Sequence, residues 1–247
     1  MNAFMLSTRA ELSKLLSKKK YIVFTALCAL VSLIYIAVPA ALSRISGGHF
    51  SLRPNIVMLM LGVVTDILVP LIAFMAVTDL FATEAHDDTM KLAIMRPITR
   101  LGLMLSKSLA AFVMAAVSAL AVFVVCLVMQ LVSGGSLRYA GAALGAYLID
   151  LIPAAAVVGM AVLINVIVQK PPLAMLLCMG VYAFFKYLNY YVSPAGQMIF
   201  TAYSQWHRIW IGRALPVGAL ASKAGIVSGS LLLLFAVAYV IFDKKDY

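Results

Sequence analysis

The chain has 247 residues, of which 64% are hydrophobic and 11% charged, and a formal net charge of +10; its mean hydropathy is +1.05. Soluble domains carry about 25% charged residues, so this composition excludes a soluble globular protein and marks an integral membrane protein. The positive balance then reads as membrane topology and attraction to anionic headgroups, with no nucleic-acid partner implied.

At the amino terminus Phe4, Leu6, Leu12, Leu15 and Leu16 are interleaved with Arg9, Glu11, Lys14 and Lys18. This pattern predicts an amphipathic helix on the inner membrane surface, although a basic anchor that only sets topology would use the same residues. Crossing a hydrocarbon core about 30 Å thick takes roughly 20 apolar residues. Six runs qualify: Tyr21 to Leu42, Val57 to Ala82, Leu103 to Val132, Tyr139 to Val168, Leu173 to Val192 and Lys223 to Phe242. Strand-like alternation is absent and each run far exceeds the ~10 residues of a barrel strand, so helices are the way to satisfy the backbone in lipid. The expected fold is all-α, six transmembrane helices in one domain over residues 1–247. With the amino terminus inside, twelve basic residues fall on the inner side and seven on the outer, which predicts that both termini are cytoplasmic. The first run is preceded by about 20 residues, too many for the basic region of a signal peptide.

The connections are short. Ser43 to Pro54 and Ser133 to Arg138 fall outside, and Gln169 to Pro172 is an inner turn in which Pro171 and Pro172 stop one helix and start the next. The longer outer segment from Ser193 to Ser222 places Trp206, Ile209, Trp210 and Arg213 at helical spacing. Tryptophan and arginine at this period suit a short helix at the headgroup level or one arm of a re-entrant hairpin. Its role is an interfacial anchor or an outer gate. Tyr182, Tyr187, Tyr190 and Tyr191 crowd the outer end of the fifth run, as an interfacial belt does.

Motifs for nucleotide binding, zinc hydrolysis and a serine nucleophile are missing, and His49, His86 and His207 fall in three separate loops, which argues against a shared metal site. Cys28, Cys126 and Cys178 each lie inside an apolar run without ligand spacing. Gly141/Gly145 and Gly225/Gly229 are spaced for close helix packing. Away from the span ends, three charges lie deep in the outer half of the spans. At 1.5 Å rise per residue, Asp66 sits roughly 13 Å, Asp150 roughly 16 Å and Lys186 roughly 10 Å below the outer end. An isolated charge there is costly, so Lys186 is expected to pair with one of the acids, as a structural ion pair or as part of a substrate path.

Asp79 to Lys107 holds eight charged residues between two apolar runs. Nothing from Leu80 to Met95 breaks a helix, so the second span is expected to run on past the membrane and turn at Pro97, with Thr99 capping the next helix. The resulting elbow bears Glu84, Asp87, Asp88, Thr89 and Lys91 beside Met90, Leu92, Ile94 and Met95, a mixture suited to a groove on a soluble protein. A solvated loop that only joins two spans would also fit.

At these residues the chain resembles the permease subunits of type-2 ABC exporters. Phe81, Glu84, Thr89, Pro97, Ile98, Thr99, Arg100 and Lys107 follow the family's signature spacing, with Asp88 and Ser106 where glycine is common. The resemblance implies a transport subunit without catalytic residues or cofactors of its own. ATP and magnesium would be bound by two partner ATPase subunits, and a second permease copy would complete the pathway in a bacterial plasma membrane. It further implies that Glu84, Asp87, Asp88, Lys91, Arg96 and Arg100 meet the ATPase, with Pro97 stiffening the bend. A lipophilic or amphipathic cargo, such as an antibiotic or antimicrobial peptide, is the expectation, and a lipid-linked glycan the alternative. An ion-coupled secondary transporter would show paired repeats, which are absent; an intramembrane enzyme would need convergent catalytic groups.

Overall fold

The computed structural model describes residues 3–45, 56–95, 98–132, 138, 140–192, 198–210 and 217–245. Its elements in chain order are α1 (Ala3–Leu16), α2 (Lys19–Ile45), α3 (Ile56–Val63), a π-helical turn (Val64–Leu68), α4 (Val69–Leu80), α5 (Ala82–His86), α6 (Met90–Ile94), α7 (Arg100–Val132), α8 (Ala140–Ile167), α9 (Pro171–Tyr191), a 3-10 turn (Phe200–Tyr203), α10 (His207–Trp210) and α11 (Val217–Lys244). Five helical stretches among the described residues are long and apolar enough to cross a membrane: Met60–His86, α7, α8, α9 and Ala221–Lys244. The protein is an all-α, multi-pass membrane protein. The run expected as the first span falls on α2, a helix of 27 residues. Most of the two expected outer loops, and the bend at Arg96 and Pro97, lie outside the described residues.

The central helix is α4. Its sequence is apolar nearly all round, which is the mark of a helix buried on every face, and ten of its twelve residues are buried. It packs against α7, α8 and α9, while α1 and α2 lie on α7 and α11 lies on α8. Phe74 meets Tyr182 edge-on across the α4–α9 contact at 5.7 Å, and Phe123 meets Tyr147 across α7–α8 at 5.0 Å. α8 and α11 approach closely at Gly159, where a Cβ would stand 3.1 Å from the Phe235 ring. The glycines expected to mark tight packing, Gly141, Gly145, Gly225 and Gly229, instead have nothing within 4 Å of a Cβ position. Spacing alone does not say which side of a helix meets a neighbour.

The π turn has a local cause. Pro70 has no N–H to give to the carbonyl four residues back, that of Asp66, and the helix widens over Val64–Leu68 just before it. The Tyr182 hydroxyl donates to the Asp66 carbonyl at 3.3 Å. At the α8–α9 turn, Lys170 is extended (φ −93°, ψ 109°) as a residue before proline must be, and Pro171 opens α9.

One end of the bundle, the basal end, gathers α1, α5, the start of α7 and the end of α11. The apical end holds the π turn, the last turns of α9 and residues 198–210. At the basal end the expectation of an unbroken helix from Leu80 to Met95 is corrected. The helix stops at His86, Asp88 takes a left-handed backbone (φ 56°), and α6 starts afresh at Met90. Aspartate is one of the few residues with a side chain that adopt this conformation readily, and it occupies a position where glycine is common in the resembling family.

Candidate functional site

Two clusters of charge mark the two ends. The basal cluster joins three elements. Lys107, on the second turn of α7, is fully buried and places Nζ 2.6 Å from Glu84 Oε2 of α5 and 3.4 Å from Glu11 Oε2 of α1. Lys14, one turn beyond Glu11, closes the ring at 2.9 Å to Glu11 and 3.0 Å to Glu84. A buried ammonium is tolerable only when paired, and removing one partner of a buried pair costs about 3–5 kcal/mol. Burial opposes charge on Lys14, but its hydrogen bonds to Glu11 and Glu84 prevail and hold its pKa above the ordinary lysine value.

The helix α1 reaches this ring with its polar side. Ser7, Glu11 and Leu15, four residues apart, are the buried face, and the Ser7 and Ser106 hydroxyls lie 3.0 Å apart where α1 meets α7. Met5, Leu6 and Leu16 point outward. A second carboxylate, Asp79 near the end of α4, accepts from Lys20 at 2.6 Å and Tyr21 at 2.7 Å and lies 3.0 Å from Lys18. The junction between α1 and α2 is therefore clipped to α4.

The other elbow residues behave differently. Thr99 caps α7, its hydroxyl accepting from the Gly102 N–H at 3.1 Å. The Arg100 guanidinium donates to the backbone carbonyls of Asp243 and Lys245. Asp87, Asp88, Thr89 and Lys91 face solvent, and the exposed Asp88–Lys91 pair at 2.9 Å adds little stability. Thr89 turns its hydroxyl back to the Glu84 carbonyl at 3.2 Å. Arg96 and Pro97 are outside the described residues.

At the apical end the three span charges separate into two groups. Asp66, on the π turn, accepts from Lys186 at 2.6 Å, Ser204 at 2.8 Å and Gln205 at 2.8 Å. Lys186 also reaches the Ser204 hydroxyl at 2.6 Å. Asp150, whose side chain is 1% exposed, goes to His207: the backbone N–H donates to Oδ1 at 2.7 Å and ring Nδ1 lies 2.6 Å from Oδ2. His207, read from sequence as one of three histidines in separate loops, is buried at the foot of α10 against α8, and the reading of it as a loop residue is corrected. Ser204 and Gln205 carried no sequence signal, and His207 showed only as a lone histidine, because the acids they serve are far along the chain. Trp206 is buried in the core and packs 6.3 Å from Tyr203. The backbone of Trp210 ends α10, and Arg213 lies outside the described residues. Of the four tyrosines read as a belt, Tyr187, Tyr190 and Tyr191 are exposed, whereas Tyr182 is buried.

Among the described residues no group of three or more His, Cys, Asp or Glu side chains converges to hold a metal. Cys126 and Cys178 are buried, and Cys178 accepts from the Asn165 amide at 3.4 Å. The buried charges described above tie helices to one another. No curated protein matches the chain. Residues 8–204, which include the elbow, Lys107 and both span acids, match the family described as ABC-2 family transporter protein, and the chain is a membrane permease belonging to the ABC-2 transporter family.

Proposed function

We propose that this permease is the membrane half of an exporter driven by a separate ATPase. In this reading α2 is a sixth span, the basal end faces the cytoplasm, and both termini lie inside. Two ATPase subunits bind ATP and magnesium, two permease copies enclose the path, and the cargo is lipophilic or amphipathic, such as an antibiotic or an antimicrobial peptide. The exposed apolar residues of α1 suit the inner headgroup layer.

The observation that carries the reading is the elbow. Leu92 and Met95 are 67% and 80% exposed, beside exposed Asp87, Asp88, Thr89 and Lys91, on a segment whose root is fixed by the Glu84–Lys107 pair. Exposed apolar side chains flanked by charge suit a groove on a soluble partner. A fixed root lets a push on them travel inward. Here Glu84 and Arg100 act within the permease, carrying force from the elbow to its neighbours, while Asp87, Asp88 and Lys91 meet the ATPase. The test is ATP hydrolysis by the partner ATPase reconstituted with Leu92→Asp/Met95→Asp permease. Permease-stimulated hydrolysis is expected to fall roughly tenfold or more, as for loss of an interface hot spot; unchanged stimulation removes the elbow from the coupling role.

A second reading, ion-coupled transport, draws on the buried Asp150–His207 pair. Flux driven by an ion gradient without ATP would favour it.

A further inference from the structure

We propose that the end of α11 and the residue after it, Phe242 to Lys245, form a strut that sets the position of the elbow and joins it to α8, with Lys245 as its positioning residue. The proposal rests on the reading that the elbow is where the ATPase pushes. Residues 242–245 lie beyond the stretch matched by the family, so membership assigns them no role.

Both ends of the elbow touch this turn. At its entry, Phe81 sits between α4 and α5 and meets Phe242 edge-on, with ring centres 6.3 Å apart and both side chains buried. At its exit, Arg100 opens α7 and donates to the carbonyls of Asp243 and Lys245. Lys245 then reaches away from the elbow. Its Nζ donates to the Val166 carbonyl at 2.7 Å and the Ile167 carbonyl at 3.4 Å, at the end of α8.

The electrostatics explain why two cations stand here. The last four carbonyls of a helix have no partner within it and form the negative end of its dipole. Two such ends, of α8 and α11, meet at the basal surface, and Arg100 serves one while Lys245 serves the other. Lys245 is the residue joined to both sides: its carbonyl accepts from Arg100 and its ammonium holds α8. Displacing Arg100 pulls on Lys245, and Lys245 pulls on α8. Asp150, in the apical half of α8 (Ala140–Ile167), holds His207, so the same helix carries the strut at its basal end and an apical contact along its length.

The test uses the full-length permease in nanodiscs, with Cys28, Cys126 and Cys178 replaced by alanine and spin labels at Leu92→Cys on the elbow and Ile167→Cys on α8. The parent is expected to give one narrow distance distribution, Lys245→Met a clearly broader one, and Lys245→Arg the narrow one again. A Lys245→Met distribution as narrow as the parent's overturns the strut. Reconstituted with the ATPase, Lys245→Met is expected to lower kcat for permease-stimulated ATP hydrolysis several-fold and leave KM for ATP unchanged, since the nucleotide site is on the partner. A broadened distance with unaltered kcat would reduce the turn to a structural clamp and overturn the positioning role. If the parent permease stimulates no hydrolysis, the exporter reading fails, and the label distances alone decide the strut.

Discussion

Asp88 turns the elbow with a left-handed backbone, φ 56°. That conformation costs an ordinary L-residue about 1–2 kcal/mol, less for aspartate and nothing for glycine. What Asp88 gains in return is the exposed contact with Lys91, worth under about 1 kcal/mol. Asp88→Gly is therefore expected to unfold at or above the parent's temperature in detergent, and Asp88→Val several degrees below it. The reverse order would show that the corner is not set by backbone sterics. Glu84 and Lys107 were legible from their signature spacing, but their contact was not, because they sit on different helices separated by a turn whose geometry depends on Asp88. Lys245, within the closing Phe242-Asp-Lys-Lys-Asp246 of the resemblance, and His207, read as a lone loop histidine, gave no sign of what they bind, since each is defined by a partner more than fifty residues away.

Among elements, the long helices were legible because hydrophobic length fixes them: the expected runs from Val57 onward coincide with the five stretches able to cross a membrane. The short elements were not, because tertiary contacts hold them. The α10 helix has four residues, too few to persist alone, and the segment around it stays in place through Ser204, Gln205 and His207 bonded to two carboxylates. Hydrogen bonds to charged groups contribute about 1.5–3 kcal/mol each, so Asp150→Ala is expected to raise amide hydrogen exchange over residues 198–210 roughly tenfold or more. Asp150→Asn keeps an acceptor for the His207 N–H and should raise it less. Unchanged exchange in Asp150→Ala would mean that the segment is held by its aromatic packing instead. The π turn was likewise hidden, although Pro70 was in view, because a proline in an apolar run announces a missing bond without saying how the helix absorbs it.

For the whole molecule, charge separates into a basal ring and an apical pair of contacts with an apolar bundle between. The proposed orientation, drawn from the basic-residue count, puts the basal ring in the cytoplasm and is open to a direct test. In a background without native cysteines, Leu92→Cys should react with an impermeant thiol reagent only in inverted vesicles, and Met198→Cys, 78% exposed at the apical end, only in intact cells. The opposite pattern would invert the topology and move the docking elbow outside. The two charge clusters also differ in when they are completed during synthesis. Glu11 and Glu84 both precede Lys107 in the chain, so the ammonium enters the membrane after both carboxylates that receive it. Asp66 is made 120 residues before Lys186, an interval on the order of ten seconds at ribosomal speed. Until then its charge depends on water. The basal ring can thus close as the chain emerges, whereas the apical carboxylates wait for partners that arrive only with residues 186–207.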